Sequence, residues 1–134
     1  MTPAPGKDLK AVAASAAGRQ GVVWTQEGSE DLNANLVRFE AGEGVGIHVN
    51  DEVDVVFVGV SGSGMVVVDG EKFALGPGRM VFVPKGYLRA TRSGYGEFAY
   101  LTVHRRRGPV QLAPLGSKGN GIGKRGVTGR RSPI

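Results

Sequence analysis

Cysteine is absent from the 134-residue chain. That excludes disulfides, thiolate metal ligands and a cysteine nucleophile. Histidine is scarce, with only His48 and His104, so any imidazole chemistry falls to those two. No apolar run approaches the roughly 20 residues that a membrane-spanning helix needs. The alanine-rich stretch 11–17 is short, weakly hydrophobic and preceded by Asp8, which argues against a signal-peptide core. The expected location is therefore cytoplasmic, with no membrane partner. Acidic residues are missing from 105–134, where Arg105, Arg106, Arg107, Lys118, Lys124, Arg125, Arg130 and Arg131 supply eight positive charges. The net charge is +5, so residues 1–104 carry −3 (+5 less +8).

Glycine is plentiful, at 23 residues against 7 prolines. Such a content suits tight turns between short strands. A chain of this length holds one domain, and 40% hydrophobic residues support a packed core. Residues 1–20 read as an arm with one short helix at most. Strand patterns follow at Gly21–Thr25, Ala34–Glu40, Gly46–Asn50 and Val55–Val60. Ser61 to Gly64 reads as a turn, and Met65–Val68 and Glu71–Leu75 flank Asp69-Gly70. That dipeptide predicts a two-residue hairpin turn, which needs positive φ at both positions. Met80–Val83 is a further strand, ended by Pro84, and Arg89–Arg92 and Phe98–His104 complete the set. Strands this short and evenly spaced predict an all-β, antiparallel sandwich or barrel. The domain is expected over 21–113. From 114 to 134 the Gly/Arg/Lys-rich sequence has little to bury and reads as a flexible basic tail.

Between Gly46 and Ser93 the residues fall into a two-part pattern. Gly46, His48 and Gly62 mark the first part, closed by a hairpin with Asp69-Gly70. Gly78, Pro84 and Gly86 mark the second, at ungapped spacing. The pattern resembles the cupin superfamily over roughly Val37 to His104. The resemblance implies an antiparallel jelly-roll β-barrel and, in its usual form, a metal held by His-x-His, a glutamate and a later histidine. His48 takes the first histidine position. Asn50 stands at the second, Val55 at the glutamate and Arg89 at the last histidine, with Ser93 at a final asparagine.

Those replacements disfavour a divalent ion. Such a site wants neutral imidazoles and a carboxylate at about 2 Å. An amide is a poor substitute, and a guanidinium has no lone pair to offer. No cofactor is expected on this reading. Arg89 instead favours an oxyanion, and His48 and Asn50, two residues apart, project from one strand face. The leading expectation is a metal-independent protein that binds a small, anionic molecule through His48, Asn50 and Arg89, with Phe57, Tyr100 and His104 beside it. The plainer reading pairs Arg89 internally with Glu52 or Asp54. Trp24, Phe57 and Tyr100 equally suit a plain core.

Two further readings come from other classes. His48, Asp54 and His104 would make a rearranged two-histidine, one-carboxylate site for a divalent metal, as in an oxygenase- or isomerase-type cupin enzyme. The plainer reading of His104 is a hydrogen-bonded residue at a strand end. The other reading is a homodimeric interaction protein whose basic tail contacts nucleic acid. Without aromatic interleaving for base stacking, a solubilising or subunit-bridging tail is preferred.

Overall fold

The computed structural model describes residues 6–107. The expected tail at 114–134 lies outside the described residues. One short helix, α1 (Leu9–Ser15), precedes the strands; Asp8 caps it by accepting the Ala11 N–H at 3.1 Å. Its alanines favour helix and present a thin, apolar stripe. Seven strands follow: β1 (Gly21–Thr25), β2 (Leu32–Phe39), β3 (Gly44–Val49), β4 (Val55–Val68), β5 (Glu71–Leu75), β6 (Met80–Val83) and β7 (Leu88–Arg105).

The expectation of a closed barrel is overturned. Hydrogen bonding runs β1-β2-β7-β4-β5, with β3 added to β7 and β6 to β4. Closure needs each strand bonded on both sides. Among the described residues β1, β3, β5 and β6 each pair with one neighbour only. The sheet is open because two long strands collect the pairing. β7 bonds β2, β3 and β4, while β4 bonds β5, β6 and β7.

The expected turn at Ser61 to Gly64 is a pair of register shifts inside β4, at Gly59/Ser61 and Gly62/Gly64. Gly62 has φ +68°, and a Cβ there would strike the Glu97 carbonyl. The glycines thus bend a continuous strand rather than reverse it. Likewise Arg89–Arg92 and Phe98–His104 are two halves of one strand. The Asp69-Gly70 turn forms as its sequence requires, with φ of 48° and 87°, and Val68 faces Glu71 across it.

Side chains alternate across the sheet and build two apolar clusters. The inner one gathers Val37, Phe39, Val53, Val55, Phe57, Val66, Leu75, Val83, Phe98 and Tyr100. Tyr100 is its hub, 5.2 Å from Phe98 and 5.6 Å from Phe57 between ring centroids. The outer one joins Leu36, Val60 and Ala99 to Ala13 of α1, with Leu9, Val12 and Trp24 against it. The helix therefore serves as a cover for the outer face.

Two short connections bring the ends of the β4–β7 ribbon together. Residues 50–54 lead from Val49, opposite Leu88, to Val55, near Val103. Five residues reach at most about 18 Å. Residues 84–87 make a similar return from Val83, opposite Val55, to Leu88. Gly86 N–H donates to Asn50 C=O at 2.7 Å and ties the two connections to each other.

Candidate functional site

The tied connections and the two ends of β7 form one mouth of the fold. His48 lies opposite Arg89 in the β3–β7 register. Arg89 shares the inner face with Thr91, whose hydroxyl is 2.9 Å from the Tyr100 hydroxyl. His104, four residues beyond Tyr100, is on that same face. At the far end of β7, Arg105 Nη2 donates to Glu52 C=O at 3.1 Å, and Arg107 Nε pairs with Glu52 Oε1 at 3.1 Å. Both ends of β7 therefore converge on 50–54.

Arg89 is 1% exposed. Its Nε donates to Tyr87 C=O at 3.2 Å and its Nη2 to Pro84 C=O at 3.0 Å. Its Nη1 is buried without a partner. Burial pushes the guanidinium down to about 10, Arg107 adds to that, and Asp51, Asp54 and Asp69 oppose it. It is a cation at neutral pH. The internal pairing with Glu52 or Asp54 is not seen. Asp54 Oδ1 accepts the Lys85 N–H at 2.9 Å, and the ion pair shown for Glu52 is with Arg107.

Asn50 is also 1% exposed. Its Oδ1 accepts the N–H groups of Glu52 at 2.9 Å and Val53 at 3.2 Å. Only an oxygen can take both, so the amide orientation is fixed and Nδ2 is left buried without a partner. His48 Nδ1 lies 2.8 Å from Gly46 C=O and His104 Nδ1 2.9 Å from Arg105 C=O. A carbonyl only accepts, so each Nδ1 carries the proton. Burial, aided by Arg107, lowers the His104 pKa below the usual histidine value. His104 is neutral at pH 7, and its buried Nε2 is an unpartnered acceptor.

Phe57 and Tyr100 belong to the apolar core cluster. Burial raises the Tyr100 hydroxyl above the usual tyrosine range, so it is a hydrogen-bonding phenol at any physiological pH. Trp24 packs on the outer face. Glu52, expected as a partner for Arg89, pairs at the mouth with Arg107, a residue that sequence reasoning did not single out. Arg107 was one of three successive arginines, and only the fold of 50–54 singles it out.

The donor set does not fit a metal. Val55 is fully buried in the apolar cluster and Arg89 has no lone pair. The alternative set His48, Asp54 and His104 is not assembled either. Among the described residues no three His, Cys, Asp or Glu side chains are placed to hold an ion.

With this geometry in place, comparison with known families identifies the chain. A profile described as "Cupin domain" matches residues 35–103, and the chain belongs to that family. It is similar to the TT1209 protein of Thermus thermophilus, with 26% identity and a TM-score of 0.65, covering 78% of this chain and 100% of that one. A protein with a double-stranded β-helix domain from Klebsiella pneumoniae is 13% identical, with a TM-score of 0.64 over 77% of this chain and 90% of that one. KdgF from a Halomonas species is 22% identical, with a TM-score of 0.59 over 63% and 77%. The last two likenesses concern the fold alone. No curated protein matches the chain. No helix among the described residues is long and apolar enough to cross a membrane.

Proposed function

We propose that this cupin binds a small anionic molecule at the mouth, without a metal. Arg89 supplies the charge, Asn50 Nδ2 a second donor, and His48 orients the ligand. One observation carries the reading. Among the described residues five buried side-chain nitrogens lack a partner: Arg38 Nε, Asn50 Nδ2, Arg89 Nη1, His104 Nε2 and Arg107 Nη2. All but the first belong to this mouth. Leaving a buried polar group unsatisfied costs about 1–3 kcal/mol, and a cluster of them favours a polar occupant, whether water or ligand. A carboxylate or phosphate oxygen matches the Arg89 and Asn50 donors.

The test is a thermal-shift and calorimetric screen of short carboxylates and inorganic phosphate against the wild type and Arg89→Met. The reading expects binding in the wild type and its loss in the variant. Equal stabilisation of both forms, or of neither, would sink it.

A second reading concerns self-association as a homodimer. Phe73, Met80, Phe82 and Tyr87 are exposed and line a groove of about 480 Å³ between β5 and β6. Asp69, Glu71 and Arg79 share its lining, so the groove offers both signs of charge to a self-complementary contact. Light scattering on the wild type and Phe82→Asp decides: a dimer converted to monomer supports the contact, and a monomeric wild type removes it.

A further inference from the structure

The unpartnered buried groups of the mouth are donors and one acceptor, and their roles are fixed by the backbone around them. Asn50 cannot flip, because Oδ1 is held by two N–H groups. Arg89 is anchored through Nε and Nη2, so Nη1 has one direction left. His104 is held in a single tautomer by the Arg105 carbonyl. Its Nε2 is the odd member, a lone pair where the others offer protons. An oxyanion satisfies the two donors and is repelled by the lone pair. A ligand that suits all three therefore carries a second group, which donates.

From this we propose that the ligand is a hydroxy acid: its acid group meets Arg89 and Asn50, and its hydroxyl donates to His104 Nε2. The inference rests on the anion-binding reading above. The charge of Arg107 decides between a hydroxyl and an ammonium as the donor. Arg107 acts electrostatically on both Arg89 and His104, so a cation placed at His104 is repelled, while a neutral hydroxyl is not. His104 is a ligand-selecting residue on this account, and no reaction is assigned to it.

The experiment compares acids with and without a hydroxyl by calorimetry. Lactate is set against propionate, and 3-hydroxybutyrate and 4-hydroxybutyrate against butyrate, with alanine as the ammonium control. Each is titrated into the wild type, His104→Leu and His104→Gln. One neutral hydrogen bond is worth about tenfold in affinity. At least one hydroxy acid is expected to bind about tenfold tighter than its plain partner in the wild type. His104→Leu is expected to remove that advantage while still binding the plain acid, and His104→Gln, whose Oε1 accepts, to restore part of it. Alanine is expected to bind no better than propionate. Nitrogen-15 shifts of the His104 ring give a reading that needs no activity: Nε2 is unprotonated in the free protein and moves on binding of the hydroxy acid only. If plain and hydroxylated acids bind equally in all three forms, the role of His104 is wrong and the anion site stands. If no acid binds, or if binding survives Arg89→Met, the anion site is wrong and this inference goes with it.

Discussion

Two arginines, Arg38 and Arg89, are each 1% exposed, on opposite faces of the sheet. Arg38 sits on the outer face, where Nη1 donates to Glu40 at 2.7 Å and to Arg19 C=O at 2.9 Å, and Nη2 to Glu97 at 2.6 Å. Its guanidinium is shallow, lying just beneath two half-exposed carboxylates. The hydrogen bond with Glu40 leads the forces that raise its pKa, and the same bond lowers that of Glu40. Arg89 sits on the inner face with carbonyls for partners and one nitrogen unmatched. The outer arginine clasps the segment after α1 to β2 and β7, which is a structural task. The inner one makes no ion pair among the described residues and feels Asp51, Asp54 and Asp69 only at a distance, which is a poor way to stabilise a fold and a good way to await an anion.

The contrast breaks if the two behave alike. The largest effect is expected from Arg89→Met on binding. A charge-assisted contact is lost, so affinity for a short carboxylate falls by roughly a hundredfold. The melting temperature of that variant stays level or rises, since an apolar side chain of similar size replaces an unpaired buried charge. Arg38→Met should do the reverse, lowering the melting temperature on the order of 5–10 °C with carboxylate affinity unchanged. Calorimetric melting of both variants beside the wild type is the check, and equal destabilisation would erase the distinction.

A smaller effect sharpens the boundary between mouth and core. Tyr100→Phe removes the hydroxyl that meets Thr91 and is expected to cost about 1 kcal/mol in urea unfolding. Ligand affinity should not change, because the ring belongs to the core.

The smallest effect concerns His104 and pH. Its folded pKa lies below the ordinary histidine value, so the unfolded chain takes up the proton first. Stability is then complete above the ordinary histidine range. It declines as pH falls through that range and stops declining below the folded value. His104→Leu should flatten this part of the stability profile. A profile that keeps its slope in the variant would move the origin of the effect elsewhere.

Particular residues show what was legible in the sequence. Asp69-Gly70 announced its turn because few dipeptides tolerate two positive φ angles in succession. β1, β5 and β6 have the limits expected from their residues, and the spacing of Gly78, Pro84 and Gly86 pointed to the family. The continuity of β4 and β7 was hidden, since a glycine that bends a strand looks the same as one that reverses it. The open sheet followed from that continuity and was hidden with it. At the mouth, the replacements at Asn50, Val55 and Arg89 were visible as residue types. Which nitrogen of each was left over was not, because that depends on carbonyls and N–H groups brought in by 50–54 and 84–87. The burial of Arg38 was equally out of reach, as one of its glutamates lies 59 positions away in the chain.

The Asn50 amide oxygen has a consequence for redesign. A histidine installed there would strand the two N–H groups that now shape the 50–54 connection, and a glutamate installed at Val55 would place a charge among packed aliphatic side chains. Each single substitution toward a chelating donor set is thus penalised before the remaining ones could be rewarded. The loop geometry acts as a ratchet against building a chelating set one residue at a time.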